Sequence, residues 1–113
     1  MIEIDKDFNI TMTRGDTFVR SLNLTKNGEN YVPNENDVIR FAMSKVYKGK
    51  PGYQLLLEKT IDNNTLEWII DASDTENLDY GKYVYDLQIT YGLTGYVETF
   101  ADKKTLKLTE EVE

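Results

Sequence analysis

The side chains of this chain that could act on another molecule are carboxylates, hydroxyls and a few cations. Its 113 residues contain no His and no Cys. There is thus no imidazole to serve as a general base near neutral pH, no thiolate nucleophile, and neither of the commonest zinc ligands. No disulfide can form, and a chain without such staples can fold in a reducing cytosol.

Acidic residues number 20. Asp71, Asp74, Glu76 and Asp79 fall in one stretch, and oxygen-rich loops can hold calcium. Their spacing is not that of the EF-hand loop, and its central Gly is missing, so helix capping is the reading expected. Asn34, Glu35, Asn36 and Asp37 form a second polar loop, read the same way. Paired carboxylates can hydrolyse glycosides, but that chemistry needs a cleft, and a small domain with short loops has little room for one. No Gly-rich phosphate loop and no nucleophile elbow occur. The expectation is a non-enzyme with no catalytic, metal or cofactor residues, whose binding residues the sequence does not fix.

Arg14-Gly15-Asp16 spells an integrin-binding tripeptide. Function would require it to project from an exposed extracellular loop, and the expectation is an ordinary bend eased by Gly and closed by Asp. Tyr31, Tyr47, Tyr53, Tyr80 and Tyr96 are candidate exposed aromatics that could stack on sugars or anchor a protein; ordinary strand positions explain them as well.

The elements carrying these residues read as strands. Phe8–Met12 alternates apolar and polar residues. Thr17–Leu24 follows, with Phe18, Leu22 and Leu24 on one face and Arg20 unexpectedly beside them. Asn27-Gly28 signals a type I′ turn returning the chain through Glu29 to Val32. Further strands are expected over Val38–Ser44, Tyr53–Thr60, Thr65–Asp71 and Lys82–Tyr91. The last strand spans Tyr96–Ala101 and Thr105–Thr109, interrupted at 102–104. Ser73 and Glu76 match a capping box, predicting one short helical turn near 73–78. Glu110 onward (110–113) reads as a frayed acidic tail.

Seven to nine short strands with no long helical period predict an all-β, immunoglobulin-like antiparallel β-sandwich occupying 1–113 as one domain. Leu78-Asp79-Tyr80-Gly81-Lys82-Tyr83-Val84-Tyr85 resembles the tyrosine corner of such folds. There a ring packs under a turn and its hydroxyl bonds nearby backbone. Tyr83 is the candidate. Phe41, Trp68, Tyr83, Tyr85, Leu87 and Ile89 are the expected core.

The net charge of −7 and the pI near 4.6 repel phosphate backbones and anionic lipid, so neither nucleic acid nor membrane is an expected partner. Met1–Asp7 alternates apolar and charged residues, with no signal-peptide core, and no run is long enough to span a membrane.

Thr13-Arg14-Gly15-Asp16-Thr17-Phe18, Asp37-Val38-Ile39-Arg40-Phe41, Leu78–Thr90, Gly95–Phe100 and Leu106–Val112 together resemble small β-sandwich structural proteins of phages and prophages. The likeness is nearest to the N-terminal domain of phage baseplate upper proteins. The resemblance implies a non-catalytic virion protein. It would act through protein–protein contacts with tail, baseplate or fibre components, with homo-oligomerisation open, residing in the host cytoplasm during assembly and then in the virion. Two other readings stay open: an adhesion or carbohydrate-binding module, and an acidic inhibitor of a host defence nuclease. The interspersed Lys and Arg weigh against the inhibitor, because a nucleic-acid mimic needs one concentrated negative face.

Overall fold

The computed structural model describes residues 2–3 and 8–110. In chain order these form β1 (Ile2–Glu3), β2 (Ile10–Thr13), β3 (Phe18–Ser21), β4 (Thr25–Lys26), β5 (Glu29–Asn30), β6 (Val38–Ser44), β7 (Leu55–Ile61), β8 (Glu67–Ile70), α1 (Ala72–Thr75), β9 (Gly81–Thr90) and β10 (Val97–Thr109). The rest of the opening segment (1 and 4–7) and of the expected acidic tail (111–113) lies outside the described residues.

Period-two patterning produces the strands. Along β9, Tyr83, Tyr85, Leu87 and Ile89 are buried while their neighbours face outward. Five strands form one sheet in the order β2-β10-β9-β6-β7; β3 and β8 form a second, and β1-β4-β5 a small third. Trp68 on β8 lies across the inner face of the large sheet, its ring centroid 5.0 Å from Phe41 and 5.3 Å from Tyr85. Phe18 on β3 meets Trp68 edge-on at 5.0 Å. The six side chains expected in the core are all buried, and the fold is an all-β, immunoglobulin-like sandwich.

Several local expectations are corrected. The sheet is not wholly antiparallel, because β2 runs parallel to β10, with Ile10 opposite Leu106. After β2 the chain crosses to the other layer as β3, so β2 never folds back on a sequence neighbour. The helical turn begins one residue earlier than expected, and its box is Asp71 and Asp74, not Ser73 and Glu76. The Asp74 carboxylate accepts the Asp71 N–H at 2.8 Å. Ile70 is fully buried, so the first residue free to cap is Asp71. The interruption expected at 102–104 is a pair of register shifts within one continuous strand, with Lys103 at φ 53°.

Other details follow the residues. Asn27 and Gly28 both take positive φ, as a type I′ hairpin requires, although β4 and β5 are only two residues each. Arg20 tolerates its inward position by laying its guanidinium 3.9 Å above the Phe8 ring. β7 is one edge of the large sheet, blunted by a register shift beside Leu55 and by the charges of Glu58 and Lys59. Among the described residues, no helix is long and apolar enough to cross a membrane.

Candidate functional site

The chemically suggestive residues separate into those that hold the fold and those that face outward. The Arg14-Gly15-Asp16 bend belongs to the first group. Arg14 donates to the Leu78 carbonyl at 3.2 Å and to the Tyr80 hydroxyl at 2.9 Å, and its guanidinium lies 4.1 Å from the Tyr80 ring centre. The Gly15 N–H donates to Oγ1 of the fully buried Thr75 at 3.0 Å. The Arg of the tripeptide is thus engaged inside its own domain, clasping the start of the chain to the corner before β9.

The acidic stretch is likewise structural in its contacts. Lys59 places its ammonium 2.8 Å from Asp71 and 2.9 Å from Asp74, where a bound cation would otherwise sit. Hydrogen bonds to these two carboxylates raise the Lys59 pKa. Glu76 and Asp79 are exposed, and among the described residues no group of three or more acidic residues could hold a metal ion. Asp79 contributes through its backbone, since its carbonyl accepts the Tyr83 hydroxyl at 2.7 Å. That bond completes the tyrosine corner.

The polar loop 34–37 has a different role from the one its composition suggested. Asp37 is only 2% exposed. Its Oδ2 accepts the Tyr31 hydroxyl at 2.7 Å and the Asn34 N–H at 2.9 Å, while Oδ1 accepts the Gly92 N–H at 3.0 Å. Burial pushes this carboxyl up. The bonds from Gly92, Tyr31 and Asn34, with the charge of Lys26, outweigh that effect and hold it below its ordinary value. Burial, and the bond to Asp37, raise the Tyr31 hydroxyl. Asn63 secures the loop from the turn before β8, donating to the carbonyls of Glu35 at 3.0 Å and Asp37 at 2.8 Å.

Asp37 therefore joins the 31–37 loop to the tip of the β9–β10 hairpin. The two are in close contact, because a Cβ added at Gly92 would stand 2.4 Å from Asn36 Cβ and 2.5 Å from its carbonyl oxygen. Between them opens a groove of about 620 Å³ whose lining includes Lys26, Tyr31, Tyr91, Leu93 and Tyr96. Lys26 sets its ammonium 4.9 Å from the Tyr91 ring centre and 5.6 Å from that of Tyr31.

This end of the sandwich carries the most exposed large apolar side chains: Leu93 at 83%, Val32 at 81%, Tyr96 at 73% and Val97 at 59%. Val38 and Val97 flank Thr90 on adjacent strands and extend the surface onto the outer sheet face. Of the five tyrosines singled out in the sequence, only Tyr31 and Tyr96 belong here. Tyr80 serves the Arg14 clasp, and Tyr47 and Tyr53 lie by a smaller pocket of about 100 Å³ on the outer face of the large sheet. Leu93, Val97 and Val32 were missed in the sequence. The one available signal was Leu93, a large aliphatic residue at the tip of an otherwise Gly/Thr loop.

No family model matches the chain, and no curated protein matches it in sequence.

Proposed function

We propose that this chain is a non-catalytic assembly module that docks another protein through the loop end of its sandwich. The supporting observation is the set of Val32, Leu93, Tyr96 and Val97, each more than half exposed, beside a groove between two tethered loops. Exposed apolar patches on soluble domains mark interaction sites, and a rigid frame under them lowers the entropy cost of docking. The catalytic alternative has little support. Asp71 and Asp74 share the Lys59 ammonium, Asp37 has both oxygens committed, and Asp86, whose carboxyl is pushed up by burial and by Asp102, lies with Asp102 at a pocket of only about 100 Å³.

The resemblance to the N-terminal domain of phage baseplate upper proteins makes the partner a tail or baseplate component. The direct test is incorporation into particles by a chain carrying Leu93→Asp and Val97→Asp. Both positions are exposed, so the fold should persist while incorporation is lost; normal incorporation would refute the reading. The tyrosine-lined groove also supports a carbohydrate-binding reading. Saturable binding on a glycan array, abolished by Tyr96→Ala, would favour that reading over assembly.

A further inference from the structure

We infer that Asp37 is the latch of the docking surface: its carboxylate holds the hairpin tip against the 31–37 loop, and loss of that carboxylate frees the tip while the sandwich stays closed. The inference rests on the proposed docking role of this end, and it names what keeps the surface assembled.

The geometry carries it. One buried carboxylate receives donors from two segments that are far apart in sequence, Tyr31 and Asn34 on one side and Gly92 on the other. Only Oδ1 reaches the hairpin. The tip's other described backbone bonds are internal, Tyr91 N–H to the Tyr96 carbonyl and Gly95 N–H to the Tyr91 carbonyl. Those bonds shape the tip without fastening it to the loop. Replacing the carboxylate with an amide leaves one acceptor oxygen for two sides. Keeping Tyr31 and Asn34 on that oxygen turns the amide NH₂ toward the Gly92 N–H, donor against donor. The cheaper arrangement therefore sacrifices the hairpin contact.

The ionisable groups around Asp37 are Lys26 on β4, Tyr31 and Glu35 on the loop, Tyr91 at the end of β9, Glu98 on β10 and Asp62 in the turn before β8. Of these charges, that of Lys26 favours the ionised latch. Asp62 is itself held low by bonds from Thr65 and Asn64, so an acid titration alone does not isolate Asp37. The Asp37→Asn variant does.

The test is amide hydrogen exchange on the free protein at neutral pH, with the Gly92 amide compared to that of Leu87 in the core of β9. In Asp37→Asn the Gly92 amide should exchange about tenfold faster or more while Leu87 stays at the wild-type rate. Unchanged exchange at Gly92, or equal acceleration at both, overturns the latch. Should that variant fail to fold, a chain carrying Asp62→Asn, which removes the competing low carboxylate, is followed as the pH falls below 3.8, the ordinary value for Asp37. Gly92 should open at a higher pH than Leu87, and simultaneous opening overturns the inference. The variant carrying Leu93→Asp and Val97→Asp keeps the two ideas apart. It should retain wild-type protection at Gly92 even though docking is lost, so either claim can fail without the other.

Discussion

Tyr83 illustrates how much a single hydroxyl can fix. It is buried beneath the turn that precedes β9, and its hydroxyl donates to the Asp79 carbonyl. Burial raises its pKa, the Asp79 carboxylate adds to the rise, and the backbone bond and Arg14 oppose it. Tyr83→Phe should lower stability by about 1 kcal/mol, read as a shift in the urea midpoint; an unmoved midpoint would mean the corner bond contributes nothing. Trp68 is a larger case. Its ring touches Phe18, Phe41 and Tyr85, and Trp68→Ala should cost about 3–5 kcal/mol by the same measurement. Its indole N–H has no hydrogen-bond partner among the described residues. The ring is therefore retained for packing, at some cost in desolvation.

Asp37 sets an acid limit on this chain. Its folded pKa lies below the unfolded value, so its stabilisation is complete above the ordinary carboxylate range and disappears as pH falls through the folded pKa. A stability profile should therefore be flat in this contribution at neutral pH and fall below 3.8. Asp37→Asn should show a shallower fall.

Among the elements, the β9–β10 hairpin shows what was legible in the residues and what was not. The strict alternation from Tyr83 to Tyr91 identified β9 and its buried face, and Gly92-Leu93-Thr94-Gly95 identified the turn. The contact of that turn with Asn36 had no local signature, since the two loops are distant in sequence. Gly92 reveals it only through space, because any Cβ would strike Asn36 backbone atoms at 2.5–2.7 Å. Gly92→Ala should thus cost about 1–3 kcal/mol and loosen the hairpin, measured by urea unfolding and by exchange at Gly95. The helical turn was readable but misplaced. Ser73 and Glu76 form a valid box, yet burial of Ile70 and the pull of Lys59 on Asp71 and Asp74 decided the start. Asp37 was noticed as one of four polar loop residues. Its role was not readable, because two of its three donors are backbone amides, which carry no residue-type signal.

Across the whole molecule, the two ends of the sandwich do different work. The end built from Arg14, Thr75, Tyr80 and Tyr83 is tied inward by hydrogen bonds. The opposite end presents aliphatic and aromatic side chains outward over a braced frame. On the proposed docking role, a net charge of −7 favours basic partner surfaces, and the on-rate with such a partner should fall with added salt. Replacing Leu93 and Val97 with Asp should leave the urea midpoint within about 0.5 kcal/mol of wild type. A large loss of stability would place those residues in the fold instead of on a contact.

The parallel pairing of β2 with β10 also bears on biosynthesis. Asn9 meets Thr105 across 96 positions, so β2 has no lateral partner until nearly all the intervening chain has left the ribosome. Until then Ile10 and Met12 have no β10 beside them, which leaves that segment open to non-native pairing during folding.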